Sequence, residues 1–399
     1  MSEEFYRIKR LPPYVIAEVN GMRAAARAAG QDIIDLGMGN PDLPPPQHVI
    51  DKLCEVAQKP SAHGYSASSG IPGVRKAQAN YYARRFGVEL DPESEVVMTM
   101  GSKEGLASLA TAITGPGDVV LAPNPSYPIH TFGFIIAGAT IRSVPTTPDE
   151  NYWRALDRAM AFTVPRPSIL IVNYPSNPTA ETVDLAFYER LVAWAKENKV
   201  WVLSDLAYSE LYYDGKPTPS ILQVPGAKDV AVEFTSMSKT FSMAGWRVGF
   251  AVGNQRLIAA LKRVKSYLDY GAFTPIQAAT VAALNGPQDI VDANRALYQK
   301  RRDVLIESFG RAGWDIPAPA ASMFAWAPLP PALKEMGSLE FAKQLLTHAE
   351  VAVAPGVGYG EEGEGFVRIA LVENEQRLRQ AARNVRRYLQ SMGINASAA

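Results

Sequence analysis

Short apolar runs that alternate with helix-like segments constrain the fold of this chain more than any other feature of its sequence. Such runs lie at 95–100, 119–122, 168–173, 200–204, 230–234 and 248–252. Segments with helical spacing follow several of them, as at 102–113 and 185–196. Strands that are apolar on both faces and are joined by helices form a largely parallel sheet that is covered on both sides. The sequence therefore predicts an α/β fold.

The texture of the sequence changes near residue 290, which indicates more than one domain. Residues 1–45 end in a segment rich in glycine and proline, and we expect them to form an N-terminal arm or loop rather than a regular element. A long charged helix is predicted at 293–311, and short apolar runs follow it. We therefore predict a large domain over 46–290, and a smaller α+β domain formed by 291–399 together with the arm.

The overall composition is typical of a globular protein and favours neither a nucleic acid nor a membrane as partner. Among 399 residues, 47% are hydrophobic and 20% are charged, and forty basic side chains balance forty acidic ones. The longest apolar stretch, near 132–141, is shorter than the roughly 18 residues that a membrane helix needs. Cys54 is the one cysteine, and the N-terminus lacks the apolar core of a secretion signal, so we expect a cytoplasmic protein.

Two patterns that are associated with metals and dinucleotides carry little weight in this chain. The four histidines, His48, His63, His130 and His348, have no zinc-ligand spacing, so we expect them to be structural or exposed and predict no metal site. The glycines of the segment 358–363 match a dinucleotide fingerprint, but the apolar run after them indicates a strand and not a helix. We expect this segment to be a flexible surface loop.

One lysine, Lys239, lies in a segment of hydroxyl and small side chains between two strand-like runs. A lysine kept away from bulk water loses its proton more easily and becomes a nucleophilic amine. Ser236 and Arg247 flank it in the sequence and together resemble a cradle for a phosphate. A reactive amine beside an anion site is what pyridoxal phosphate requires, because its aldehyde bonds to a lysine and its phosphate anchors the ring.

The same segment is open to two other interpretations. A lysine in a turn rich in serine and threonine is often a solvated surface residue. The spacing from Ser236 to Lys239 also matches the Ser-x-x-Lys signature of penicillin-binding serine acyl enzymes, which need Ser-Asp-Asn and Lys-Thr-Gly elements as well. In this chain Leu206 follows the Ser-Asp pair and no Lys-Thr-Gly occurs, so the sequence argues against a serine acyl enzyme.

Polar side chains follow the predicted strands at their carboxyl ends, which is where open parallel sheets bind ligands. Asp205 and Tyr208 follow one strand, Asn177 follows another, and Ser102 opens a helix after a third. The free N–H groups at the start of that helix suit a phosphate. Each residue alone is more often a cap or turn former. Their joint placement predicts a single site that also contains Lys239.

The chain resembles the class I and II aminotransferases of the fold-type I pyridoxal-phosphate superfamily. The resemblance covers nearly all of the chain and is carried, in order, by the segments 37–42, 63–66, 101–105, 124–128, 176–179, 204–208, 236–247 and 367–370. Ala180 stands where this family usually has glycine, so we expect the local turn to differ slightly. The resemblance implies a mostly parallel seven-stranded sheet between helices, a smaller α+β domain, and pyridoxal 5′-phosphate as the cofactor.

The resemblance also implies roles for individual residues. Lys239 is implied to bond to the cofactor and to move a proton at the substrate's Cα. Asp205 is implied to hold a proton on the ring nitrogen, and Tyr208 and Asn177 to hydrogen-bond to the ring's phenolic oxygen. Further cofactor contacts are implied for Ser102, Lys103, Ser236 and Arg247 at the phosphate, for Tyr127 on the ring face, and for Tyr65 of a neighbouring subunit at the phosphate. Arg368, assisted by Gly39 and Asn177, is implied to bind the substrate's α-carboxylate.

Within the family, three segments resemble the bacterial alanine-forming glutamate–pyruvate aminotransferases, namely 10–14, 126–130 and 269–275. They imply transfer of an amino group between L-alanine and 2-oxoglutarate, by a ping-pong mechanism through pyridoxamine phosphate, in a homodimer. An aminotransferase of aspartate, methionine or aromatic amino acids, or a β-eliminating carbon–sulfur lyase, is the alternative. A regulator that uses this fold as a sensor would need an appended DNA-binding domain, for which the first 45 residues leave little room. No residue is assigned to the distal carboxylate of glutamate, although Arg10 and Arg23 are candidates.

Overall fold

The structure is a computed structural model that describes residue 5, residues 7–13 and residues 15–394. Tyr14, which belongs to one of the segments that carry the resemblance, lies outside the described residues, as do residues 395–399 of the predicted small domain. The helices are α1 Val15–Ala28, α2 Gln47–Ala57, α3 Pro72–Phe86, α4 Ser102–Ile113, α5 Pro128–Ala137, α6 Glu150–Phe162, α7 Leu185–Asn198, α8 Met237–Thr240, α9 Gln255–Leu268, α10 Thr274–Asn285, α11 Asp289–Arg311, α12 Ser338–Ala349 and α13 Glu375–Ser391. The strands are β1 Ile34–Asp35, β2 Val96–Thr99, β3 Val119–Asn124, β4 Thr140–Pro145, β5 Ile169–Val172, β6 Trp201–Asp205, β7 Ala231–Ser236, β8 Gly249–Gly253, β9 Phe324–Pro328, β10 Val351–Ala352, β11 Ala354–Pro355 and β12 Phe366–Ala370.

A seven-stranded sheet organises the larger part of the chain. Its strand order is β2-β8-β7-β6-β5-β3-β4, and every neighbouring pair is parallel except the two that involve β8. The mostly parallel seven-stranded sheet that the sequence predicted is therefore confirmed. The one strand of this sheet that the apolar runs did not predict is β4, an edge strand on which most side chains are exposed or half-buried.

The strands of this sheet are apolar throughout because helices cover both of its faces. On β5, Leu170 and Val172 belong to one cluster of buried side chains, whereas Ile169 and Ile171 belong to the cluster on the opposite face. Successive side chains of a strand point to opposite faces, so a strand buried on both sides has no polar positions. At the carboxyl end of such a strand the side chains become polar, and this edge of the sheet is where the candidate site lies.

A second layer packs around a smaller sheet of order β11-β12-β9, which is antiparallel. Helices α11, α12 and α13 contribute to its buried apolar cluster. The short strand β1 pairs with β10 and so attaches the N-terminal segment to this layer. The domain boundaries at residues 45 and 290 stay a prediction.

Two local expectations from the sequence are wrong. Residues 1–45 contain a regular helix, α1, although the stretch from 36 to 46 is irregular apart from isolated bends, as expected. Only Ile16 and Val19 of α1 are buried, so the apolar periodicity that reveals a helix is weak there. The segment 358–363 is not a flexible surface loop, because Gly363 is buried and a Cβ on Gly356 would lie 2.0 Å from its carbonyl oxygen.

Ala180 adopts a φ of +59°, the left-handed conformation that glycine adopts at low cost. The alanine that replaces the family's usual glycine therefore occupies a turn of the kind that glycine favours.

No helix within the described residues is long and apolar enough to cross a membrane.

Glu233 is a carboxylate on β7 that is completely buried. It accepts hydrogen bonds from the hydroxyls of Tyr82 (2.9 Å), Ser204 (3.0 Å) and Ser220 and from the backbone N–H of Ile221. Burial raises the pKa of Glu233 to about 7, even though these hydrogen bonds favour the charged form.

We expect Glu233 to make the protein less stable as the pH rises from about 4.5 to about 7. Folding raises the pKa of this carboxyl, so the unfolded chain releases the proton first and the free energy of unfolding falls over this interval. Replacing Glu233→Gln removes the titration. Relative to the wild type, the free energy of unfolding of this variant should rise by up to about 3 kcal/mol between pH 4.5 and pH 8.

Urea titrations at several pH values measure this difference. The control is Glu307→Gln, which removes an exposed carboxylate from α11. A Glu233→Gln variant whose stability follows the wild type at every pH would show that Glu233 does not titrate in this range.

Candidate active site

A cavity of about 830 Å³ opens at the carboxyl edge of the large sheet. Its walls come from the ends of β5, β6 and β7, from the start of α4, from α1 and from β9 and β12 of the smaller sheet. Eleven of the residues that the sequence assigned to the site line it: Gly39, Ser102, Lys103, Tyr127, Asn177, Asp205, Tyr208, Ser236, Lys239, Arg247 and Arg368.

Lys239 lies on α8, directly after β7, and its amine is within the cavity. Nζ donates a hydrogen bond to the carbonyl oxygen of Gly39 at 2.5 Å. Burial, together with the positive charges of Arg368 and Arg247, lowers the pKa of Lys239 to about 8. A larger fraction of this amine is therefore neutral and nucleophilic near neutral pH than in an exposed lysine.

Asp205 ends β6, and its carboxylate is buried in the floor of the cavity. Oδ2 lies 2.9 Å from Nε2 of His130, a fully buried residue of α5. Oδ1 is also buried, and no side chain or backbone group among the described residues hydrogen-bonds to it. A buried carboxylate oxygen without a partner is costly, so this atom fits a donor from a bound molecule, such as the protonated ring nitrogen of pyridoxal phosphate.

The sequence analysis expects His130 to be structural or exposed; it is fully buried, and it supports the site residue Asp205 without lining the cavity itself. It contacts Asp205 across 75 positions of the sequence, a distance at which no spacing rule applies. The one signal in the sequence was its place at the end of the segment 126–130.

Asn177 connects the other polar groups of the cavity. Its side-chain oxygen accepts a hydrogen bond from Nη1 of Arg368 at 2.8 Å, and its Nδ2 donates to the hydroxyl of Tyr208 at 3.4 Å. Its backbone N–H is fixed by the side chain of Asn173 at 2.9 Å. Burial raises the pKa of Tyr208 well above its usual value, so this phenol stays protonated and can donate.

Arg368 lies on β12 and reaches the cavity between two aromatic rings. Its guanidinium carbon is 3.9 Å from the centre of the Phe324 ring and 4.9 Å from that of Tyr359. Nη2 donates to the carbonyl oxygen of Gly37 at 2.9 Å. Phe324 also packs on Gly39, where a Cβ would lie 2.4 Å from the ring, so the sequence needs glycine there. Phe324 is a site residue that the sequence analysis missed.

The other end of the cavity is suited to an anion. Ser102 is the first residue of the twelve-residue helix α4, and the N–H groups of its first turn have no partners within the helix. The guanidinium of Arg247 lies against Gly101, where a Cβ would be 2.3 Å from Nη2. Lys103 lies with its amine 5.7 Å from the ring centre of Tyr127, and Ser236 caps α8.

Tyr65 is the one assigned residue that the fold does not bring to the cavity of its own chain. Its side chain is 90% exposed, and its ring centre is 4.6 Å from that of Tyr270. Arg10 and Arg23, the earlier candidates for a distal carboxylate, do not line the cavity either. Arg10 donates to the carbonyl oxygens of Ile135 and Ala139, and Arg23 is paired with Asp35.

The fold and this cavity define a fold-type I pyridoxal-phosphate-dependent transferase. The chain belongs to the class I and II aminotransferases, because the pattern of the family described as "Aminotransferase class I and II" matches residues 31–385. This confirms the resemblance seen in the sequence, and the family uses pyridoxal 5′-phosphate as its cofactor.

Individual relatives are similar over almost the whole chain. A protein of Rhizobium meliloti named putative aminotransferase AatC is 64% identical over 98% of this chain and 96% of its own length. The glutamate-pyruvate aminotransferase AlaC of Escherichia coli is 52% identical over 98% and 95%. The LL-diaminopimelate aminotransferase of Moorella thermoacetica is 43% identical over 97% and 98%. Among solved structures, substrate-bound BacF from Bacillus subtilis has a TM-score of 0.90 at 33% identity, with 97% and 98% of the two chains covered.

We expect the substitution Gly249→Ala to weaken cofactor binding. A Cβ at Gly249 would lie 2.6 Å from the backbone nitrogen of Ser102 and 2.9 Å from the carbonyl oxygen of Thr235, so the start of α4 must move away from β8. The N–H groups that face the anion end of the cavity move with it, and the Kd for pyridoxal phosphate should rise at least about 10-fold.

Fluorescence titration of the cofactor-free protein measures this Kd. Gly245→Ala is the matched control, because a Cβ at Gly245 would meet nothing within 4 Å. Equal Kd values for the two variants would show that the β8–α4 contact does not shape the anion site.

Proposed function

We propose that this chain transfers an amino group between L-alanine and 2-oxoglutarate, forming pyruvate and L-glutamate by a ping-pong mechanism through pyridoxamine phosphate. The observation that carries the proposal is that Lys239 and Arg368 both donate hydrogen bonds to one short backbone segment, 37–39. An amino acid bound through its α-carboxylate at Arg368 would therefore present its Cα beside the amine of Lys239. The 52% identity with a glutamate-pyruvate aminotransferase supports this choice of substrates.

When it is bound, pyridoxal phosphate supplies an electron sink for the negative charge that develops at the substrate's Cα. Oδ1 of Asp205 would accept a hydrogen bond from the protonated ring nitrogen. Oδ2 of the same carboxylate lies within hydrogen-bond distance of His130. Tyr208 and Asn177 would donate to the ring's phenolic oxygen. Tyr127 would cover the ring face, since its ring lies in the wall of the same cavity.

The phosphate would be held at the start of α4. Ser102 and Lys103 offer N–H groups at the positive end of the helix dipole, and Ser236 adds a hydroxyl. Arg247 offers a planar guanidinium fork that can bind two phosphate oxygens at once.

Lys239 would act as the general base of the reaction. Its Nζ would take the proton from the substrate's Cα and hold it until it is returned at a later step of the transfer. A pKa of about 8, set mainly by burial, leaves a useful fraction of this amine unprotonated near neutral pH. Arg368 would fix the α-carboxylate with both ends of its guanidinium fork and so orient the bond that breaks.

The active unit is proposed to be a homodimer in which Tyr65 reaches the phosphate of the neighbouring subunit. In support, Tyr65 belongs to a group of large exposed side chains that a second copy would cover: Tyr65, Tyr267, Leu268, Tyr270 and Phe273. Exposed apolar groups of this kind are typical of interfaces. A cytoplasmic location stays a prediction.

Mixing the cofactor-loaded protein with L-alanine alone tests the substrate assignment. We expect the visible absorbance of the bound cofactor to disappear and to return when 2-oxoglutarate is added, because each half-reaction runs without the other substrate. LL-Diaminopimelate, the substrate named for one relative, should act much more slowly as donor. Loss of absorbance with LL-diaminopimelate but not with L-alanine would contradict the assignment and favour that donor.

The matched variant for this test is Lys239→Ala. It should still bind pyridoxal phosphate through the anion site, but turnover should fall by at least about 10³-fold because the general base is absent. A variant with wild-type turnover would show that another residue carries the proton. Pyruvate and ammonia formed from a β-substituted amino acid without an acceptor would instead indicate a lyase.

Tyr65→Phe tests the dimer. Loss of one hydroxyl at the phosphate should raise the Kd for pyridoxal phosphate about 10-fold, while Tyr267→Phe in the same exposed group should leave it unchanged. Sedimentation of the loaded wild type should give the mass of two chains. An active monomer would rule out the role of Tyr65.

A further inference from the structure

The cavity contains one basic side chain that the proposed function leaves unused. Among the described residues, the basic side chains that line it are Arg27, Lys103, Lys239, Arg247 and Arg368. Lys239 has the role of the amine, Arg368 that of the α-carboxylate clamp, and Lys103 and Arg247 lie at the anion end. We propose that the fifth, Arg27, binds the distal carboxylate of dicarboxylic substrates such as L-glutamate and 2-oxoglutarate. This inference rests on the proposed function and names a residue that determines specificity within it.

Helix α1 places Arg27 at the mouth of the cavity. Ile16, Asn20 and Arg27 all line the cavity and are spaced by four and seven positions, which puts them on one face of the helix. Arg27 is in the last turn of α1, and its side chain is 48% exposed. The guanidinium is therefore open to a ligand that enters the cavity.

The charge of Arg27 is not neutralised by the nearest carboxylates. Asp35 is already paired with Arg23, whose Nη1 lies 2.5 Å from Oδ2, and Oδ1 of Asp35 accepts the backbone N–H of Gly37 at 3.1 Å. Arg27 is 3.9 Å from the same Oδ2, and within the described part of the chain it hydrogen-bonds only to the carbonyl oxygen of Ile33, at 3.3 Å. Asp32 also acts on Arg27, but it is bound by Arg377 at 2.7 and 2.8 Å. Three arginines thus face two carboxylates, and one positive charge remains.

Besides Asp35 and the floor residue Asp205, two acids among the described residues line the cavity, and neither neutralises the charge of Arg27. Asp42 receives two hydrogen bonds from Arg301, at 2.7 and 2.6 Å. Burial raises the pKa of Glu373, which favours the uncharged acid, and Arg377 is the positive group that acts on it. A carboxylate brought by the substrate would therefore find Arg27 as its partner.

The position of Arg27 relative to Arg368 suits a substrate with a carboxylate at each end. Asp35 lies beside Arg27 and holds the backbone N–H of Gly37, and the carbonyl oxygen of Gly37 accepts from Arg368. The two guanidinium groups are thus joined through three consecutive residues of the chain. Alanine would use Arg368 alone, whereas glutamate would use both arginines.

The decisive experiment compares Arg27→Gln with the wild type in the two half-reactions, each followed by single-turnover absorbance of the loaded enzyme. We expect the apparent Kd for L-glutamate to rise about 10-fold or more and that for L-alanine to stay within about 2-fold, because only glutamate loses a charge-assisted hydrogen bond. Arg27→Lys should recover part of the loss. Arg158→Gln, an exposed arginine on α6 outside the cavity, is the control.

A binding measurement separates this inference from the substrate assignment. Calorimetric titration with glutarate, an unreactive dicarboxylate, should show the same weakening in Arg27→Gln, while propionate should bind equally to both proteins. An unchanged Kd for glutarate, or an equal loss for glutarate and propionate, would overturn the role of Arg27. If the wild type reacts with neither L-glutamate nor 2-oxoglutarate, the proposed function fails. The glutarate titration still decides in that case whether Arg27 binds a distal carboxylate.

Discussion

The backbone segment 37–39 is the point on which the geometry of the cavity depends. Its two outer carbonyl oxygens accept hydrogen bonds from Lys239 and from Arg368, which come from different layers of the fold. Asp35 fixes the segment from behind by accepting the N–H of Gly37. The backbone thus sets the separation of the Lys239 amine and the Arg368 guanidinium, so any displacement of this segment would displace both groups. Because Phe324 packs directly on Gly39, no residue larger than glycine fits there.

The electrostatics of the cavity follow from crowding several positive groups into a partly buried space. Arg368 and Arg247 add to the effect of burial on Lys239, and all three favour the loss of its proton. At the floor, Asp205 keeps one carboxylate oxygen bound to His130 and the other without a partner. A cavity arranged in this way favours a ligand that carries anionic groups at its ends and a hydrogen-bond donor at its centre, which matches the cofactor of the family.

The sequence predicted the elements that are buried on both sides and the residues at their ends. Strands such as β5 and β6 are continuous apolar runs, so their positions and the polar residues after them could be inferred. The edge strand β4 and helix α1 bury too few side chains to leave a clear periodicity, and both were missed. His130 and Phe324 could not be assigned from spacing, because their partners in the site lie far away in the sequence and only the folded chain brings them together.

Helix α1, which local sequence signals did not reveal, carries the arginine that we propose to bind the distal carboxylate, and its half-exposed position suits that role. An aminotransferase binds both of its amino acids in one place, so any partner for a distal carboxylate stays empty while the smaller substrate reacts. A fully buried arginine would pay a large desolvation penalty in that empty state. Arg27 is half exposed and would keep much of its hydration while a substrate without a distal carboxylate, such as the proposed alanine, is bound. It can therefore attract a carboxylate in one half-reaction without destabilising the protein in the other.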